Sequence, residues 1–123
     1  LTKSLALIVT SSPTANITHT AYKLIEQAIN NNITISGVFF YQDGVLNASK
    51  FLSVPSDELQ LTALWKALHQ EHSIPLHLCA TAAEKRGLIN PAEETQLLHH
   101  EFTLSGLGEL VMLTSQADRL VQL

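Results

Sequence analysis

LHLCATAAEKRG, residues 76–87, changes character at Cys79, the one cysteine of the 123-residue chain. Before it lies an apolar run, IPLHLCA at 74–80, read as a buried strand. After it, ATAAEKR at 80–86 is alanine-rich and favours helix. Gly87 is placed to stop that helix. A strand running straight into a helix is the repeating half of a βαβ unit. Its neighbours on both sides decide whether the pattern continues.

It does. SLALIVT, 4–10, is an apolar and partly β-branched run, read as a buried strand. The turn formers SSPTAN follow it. THTAYKLIEQAIN then places Ala21, Leu24, Ile25, Ala28 and Ile29 at helical intervals, and Asn30-Asn31-Asn32 ends that helix. ITISGVFFY, 33–41, reads as a second strand. Residues 42–56 read as a loop, with Pro55 discouraging helix at Val54. Ser56 or Asp57 is expected to cap a helix carrying Leu61, Leu64, Trp65 and Leu68 on one face. PAEETQLLHH, 91–100, reads as a short helical piece with Pro91 in its first turn. FTLSGLGELVMLTSQA contains another helix, starting near Ser105, and ADRLVQL at 117–123 is a closing strand. Strands alternating with helices predict a three-layer α/β/α sandwich around a mostly parallel four- or five-stranded sheet. No repeat or linker divides the chain, so residues 1–123 are expected to form one domain of common size.

Composition excludes several functions. Apolar residues make up 46% of the chain and charged ones 15%, a globular balance. The formal charge is −4 with seven scattered Lys and Arg, so the basic stripe of a nucleic-acid binder is missing. No apolar run approaches the roughly 20 residues of a membrane span. LALIV at 5–9 is too short for a signal sequence. A single cysteine forms no internal disulfide. These features favour a reducing, cytoplasmic setting in which a thiol stays free.

Two readings of Cys79 follow. It is a small buried core residue, the commonest fate of a free cysteine, or it is a reactive thiol. The second gains from position. In open α/β sheets chemistry gathers beyond the carboxyl ends of strands. There the N–H groups of the following helix favour a thiolate, and Lys85 and Arg86 add positive charge if they fold back. His77, two residues before, is about 6.5–7 Å away along the strand, too far for a direct bond between the side chains. Tyr41, at a strand end, and Asn47 are candidate cleft liners, which leaves open a small-molecule binding module. His69 and His72, three apart on a predicted helix, have no third ligand at a telling spacing, and the adjacent His99 and His100 point in different directions on a helix, so no metal is expected. No GxGxxG or GxxxxGK[ST] appears, so no nucleotide cofactor is expected. FTLSGLGELVML carries more apolar residues than one helix face can bury in so small a domain, which predicts association with other subunits.

Four stretches resemble the DsrE family of sulfur-relay proteins, most closely its TusD branch: VFFYQDGVLNAS at 38–49, LCATAAEKRGLI at 78–89, FTLSGLGEL at 102–110 and ADRLVQL at 117–123. Their order and spacing match along nearly the whole chain. The family's motif of a cysteine, an alanine-rich turn and a basic pair before glycine falls on Cys79-Ala80-Thr81-Ala82-Ala83 and Lys85-Arg86-Gly87. Thr81 stands where alanine is more usual. The connection from Gly87 to Phe102 is short for the branch, and SSPTAN lacks an expected glycine. The resemblance implies a sulfurtransferase subunit in which Cys79 carries a persulfide sulfur without any cofactor. It implies a heterohexamer with TusC-like and TusB-like subunits, a TusA-like donor and a TusE-like acceptor. The endpoint would be 2-thiolation of a transfer RNA wobble uridine, without direct nucleic-acid or membrane contact. A DsrE-type role in sulfur oxidation and a non-catalytic structural role are the alternatives.

Overall fold

A computed structural model describes residues 3–90 and 97–123. Five strands, β1 (Ser4–Val9), β2 (Thr34–Phe40), β3 (Leu76–Cys79), β4 (Phe102–Ser105) and β5 (Arg119–Gln122), form one sheet in the order β4-β3-β2-β1-β5. Every neighbouring pair is parallel. The helices are α1 (Asn16–Asn30), α2 (Leu61–His72), α3 (Ala80–Lys85) and α4 (Leu107–Gln116). The expected sandwich is thus present, with five strands.

The inner strands carry no polar alternation because helices cover both faces. Phe40 of β2 meets Trp65 of α2 edge-on at 5.1 Å, and Trp65 meets Tyr22 of α1 at 5.7 Å. Gly37 is three residues earlier on β2, so it points to the opposite face. There Leu113 of α4 packs so closely that a Cβ on Gly37 would lie 2.7 Å from its Cδ2. Helices α1 and α2 therefore cover one face and α4 the other.

In parallel pairing, registered residues share a face. His77 and Cys79 of β3 pair with Thr103 and Ser105 of β4. Phe39 of β2 pairs with His77 and stacks on its ring at 6.5 Å. Phe39, His77, Cys79, Thr103 and Ser105 all stand on the α4 face. Phe102, which meets Phe40 edge-on, stands on the other.

Several expectations are corrected. Gln42–Ala48 is a 3₁₀ helix rather than loop. Helix α2 begins at Leu61, not near Ser56, because the Gln60 amide donates to the carbonyls of Pro55 and Glu58 and holds the preceding residues in a turn. Most of the helical piece expected at 91–100 falls on residues 91–96, outside the described residues. Its last part is not helical: Leu97 O accepts from Lys50 N, His99 N donates to Ala48 O, and Leu98 bridges to Ser49. The stripe of α1 is rotated from the expected one, with Thr18 and Tyr22 buried beside Ala21, Ile25 and Ala28, and Leu24 turned outward. Gly87 stops α3 as expected, at φ +71°, a left-handed conformation that glycine adopts without strain.

Candidate active site

Cys79 is the last residue of β3 and the residue before the first turn of α3. The parallel sheet places this junction at its carboxyl edge, where Tyr41 follows β2 and Ser105 ends β4. The three ends bound a cleft of about 340 Å³. Tyr41 and Gln42 form one side. Cys79, Thr81, Lys85 and Arg86 come from β3 and α3, and Ser105, Gly106 and Leu107 come from the β4–α4 junction. Cys79 is only 4% exposed, so its thiol belongs to the floor of the cleft rather than its rim. The two readings of this cysteine meet here: it is packed like a core residue, yet it lines an open space.

Helices α3 and α4 both begin at the cleft, and their amino ends favour an anion there. The thiol makes no capping bond to α3. Among the two basic residues, Arg86 is committed. Its Nε donates to Asp43 Oδ1 at 2.9 Å and its guanidinium also reaches Ala82 O at 3.1 Å. That bridge ties α3 to the 3₁₀ helix across one wall. Lys85 is exposed and makes no ion pair among the described residues, so its charge is available to the cleft.

Beside Cys79 lies a pair that sequence reasoning did not assemble. His77 Nδ1 and Ser105 Oγ are 3.0 Å apart, and the same hydroxyl donates to Thr103 O at 3.2 Å. Burial holds the imidazole pKa below its ordinary value, while Glu109 pulls it upward. The β3–β4 register creates this neighbourhood, and nothing in the local sequence of Ser105 signals it.

Tyr41, a candidate liner, borders the cleft, and so do Thr81, Lys85 and Arg86. Asn47 does not. It is fully buried, and its side chain spends its bonds on Gly44 O, Ser11 O and the Trp65 indole. It therefore holds the 3₁₀ helix against α2 and the loop after β1. The described residues contain no cluster of three or more His, Cys, Asp and Glu side chains suited to a metal ion. None of their helices is long and apolar enough to cross a membrane.

The family profile of DsrE/DsrF-like proteins matches residues 3–123. The chain belongs to the DsrE/DsrF-like family. Within that family it is similar to Sulfurtransferase TusD of Klebsiella pneumoniae, 39% identical over 108 residues, which are 83% of this chain and 84% of the relative. It is 44% identical over 94 residues to Sulfurtransferase TusD of Enterobacter sp., covering 72% and 73% of the two chains. The Sulfurtransferase TusD homolog of Pasteurella multocida is 37% identical over 105 residues, with 82% and 83% covered. The crystal structure of the YchN protein of E. coli superposes over the full length of both chains with a TM-score of 0.74 at 20% identity, a likeness of fold. The DsrE-like sandwich expected from the sequence is the architecture found.

Proposed function

We propose that this chain is a sulfurtransferase subunit of a cytoplasmic sulfur relay, with Cys79 as the sulfur carrier. The observation that carries the reading is a lone thiol on the floor of a strand-end cleft that is also lined by Lys85, which makes no ion pair among the described residues, and that two helix amino ends border. The names of the relatives described above support it.

Each half of the transfer balances without an outside oxidant or reductant. The Cys79 thiolate attacks the outer sulfur of a donor persulfide, R–S–SH. The donor's S–S bond breaks, R–S⁻ leaves, and Cys79 becomes Cys79–S–SH. An acceptor thiolate then attacks that outer sulfur, the new S–S bond breaks, and the Cys79 thiolate returns. A chain with one cysteine has no internal thiol to compete by closing a disulfide on the loaded sulfur. A TusA-like protein is the donor in this reading and a TusE-like protein the acceptor. TusC-like and TusB-like subunits complete the assembly, and the endpoint is 2-thiolation of the wobble uridine of transfer RNA.

The 4% exposure of Cys79 favours one competitor, a non-catalytic subunit with an inert core cysteine. Sulfur handover separates them. With a carrier charged by labelled sulfur and a thiol acceptor protein, label reaches the acceptor faster through the native assembly containing this chain. A Cys79→Ser assembly that passes sulfur equally well assigns this chain the structural role.

A further inference from the structure

We propose that the Ser105 hydroxyl, aimed by His77, donates a hydrogen bond to the sulfur of Cys79 whenever that sulfur is anionic. The inference rests on the carrier reading above and adds two residues to it: Ser105, the cross-strand partner of Cys79, as the donor to the sulfur, and His77 as a positioning residue.

The argument begins with register. Cys79 and Ser105 are Cα partners across the β3–β4 pair. Their backbones are about 4.8 Å apart, and registered side chains leave the sheet on the same face. Both side chains line the same cleft. Ser105 is 7% exposed, so its hydroxyl has few water partners to choose from.

A serine hydroxyl has one proton. At rest it goes to Thr103 O, over 3.2 Å. That is long for an O–H···O bond, whose usual length is about 2.7–2.8 Å. The bond is therefore a weak hold on the proton. His77 Nδ1 lies 3.0 Å from the same oxygen. In this proposal the hydroxyl proton points to Thr103 O, and His77 carries its proton on Nδ1 and donates it to the hydroxyl oxygen. The imidazole is fixed for this task by stacking on Phe39. A hydroxyl that accepts from an N–H becomes a better donor. When a thiolate forms beside it, rotation about the Cβ–Oγ bond moves the proton from Thr103 O to the sulfur, while His77 keeps the oxygen in place.

The device suits a sulfur that alternates between anion and persulfide. A rotating hydroxyl stabilises the anion and then returns its proton to Thr103 O once the sulfur is covalently occupied. The other charged or titratable groups around Cys79 are Lys85 on α3, Arg86 just after it, Asp43 on the 3₁₀ helix, Tyr41 just after β2 and Glu109 on α4. None of these is altered by substitutions at Ser105 or His77.

The test is the pH dependence of Cys79 alkylation by iodoacetamide in the native protein. Ser105→Ala is expected to raise the midpoint of the rate profile by about one pH unit, the size of a hydrogen bond to a charged group. His77→Leu, which leaves the hydroxyl but removes its anchor, is expected to raise it in the same direction. Ser105→Thr and His77→Asn, which keep the hydroxyl and an N–H donor, are expected to bring it back. A Ser105→Ala profile that superimposes on that of the unmodified sequence overturns the proposal. So does a shift that Thr fails to restore. Sulfur loading of the unmodified protein is measured alongside. Failure to load removes the carrier reading, whereas the alkylation midpoints judge the hydrogen bond by themselves.

Discussion

The indole Nε1 of Trp65 donates a 3.0 Å hydrogen bond to Oδ1 of Asn47, and both side chains are fully buried. The other end of the amide donates to Gly44 O at 2.8 Å and Ser11 O at 3.2 Å. One asparagine thus joins α2, the 3₁₀ helix and the loop after β1, directly behind the wall that carries Tyr41 and Gln42. Asn47→Leu keeps the volume but strands the indole N–H and two carbonyls. A loss of about 2–4 kcal/mol is expected, from buried groups left without partners. Urea unfolding checks it: the midpoint should fall while the native alkylation rate of Cys79 stays near its original value. A large change in that rate with no loss of stability would return Asn47 to the cleft.

Gly44 and Gly87 are glycines for different reasons, and alanine should tell them apart. A Cβ at Gly44 would lie 2.0 Å from Val9 O, where only backbone movement makes room. Gly44→Ala should cost about 3 kcal/mol, the upper range for overpacking. At Gly87 nothing lies near a Cβ, but φ is +71°. Gly87→Ala should cost about 1–2 kcal/mol, and Gly87→Asn less. Equal midpoints for Gly44→Ala and the unmodified protein in urea would contradict this packing.

Much of the architecture could be read from the residues, because burial on both faces of a parallel sheet leaves unbroken apolar runs. LALIV and GVFF announce β1 and β2 in this way, and the Cys79–Gly87 stretch announces a strand followed by a helix with its stop. The 3₁₀ helix was not legible. Its sequence, QDGVLNA, looks like loop until Asn47 is known to be buried, and the partners of Asn47 lie 18 residues ahead at Trp65 and 36 behind at Ser11. The site was legible in its local part, Cys79 through Arg86. Ser105 was not, since its place beside Cys79 is set by pairing between strands 26 residues apart in the chain.

Acid should weaken this fold in two stages. Burial holds His77 below its ordinary pKa of 6.5, against the pull of Glu109. Burial does the same for His99, with Lys66 and Lys50 assisting and Glu101 opposing. Burial pushes the Glu101 carboxyl up, but its own backbone N–H, the Gln70 amide, Lys66 and His100 outweigh that and hold it below 4.5. All three groups bind fewer protons folded than unfolded. Their contributions are therefore complete above the unfolded pKa values and are lost as pH falls through the folded ones. Unfolding free energy should decline below about pH 6.5 and further below about pH 4.5. Urea titrations at neutral, mildly acid and acid pH check this, and a flat profile contradicts it. Glu101→Gln should remove part of the second decline.

Leu107, Val111 and Met112 of α4 are more than half exposed, and Leu120 of β5 lies on the same face of the sheet. Only Leu113 of α4 is buried. This surface is expected to associate with copies or paralogues of the chain, as the excess of apolar residues in FTLSGLGELVML implies. Val111→Glu should shift the sedimentation of any such assembly towards monomer without lowering the urea midpoint. A chain that sediments as a monomer alone and with its paralogues contradicts the expectation.

The most direct test of the account is the intact mass of the native protein after incubation with a cysteine desulfurase and cysteine, with and without a TusA-like carrier. The account predicts a gain of one sulfur atom that reductant removes and that Cys79→Ser abolishes. No gain in the native protein, with Cys79 alkylated only after denaturation, would contradict it and leave the thiol a packed residue of the core.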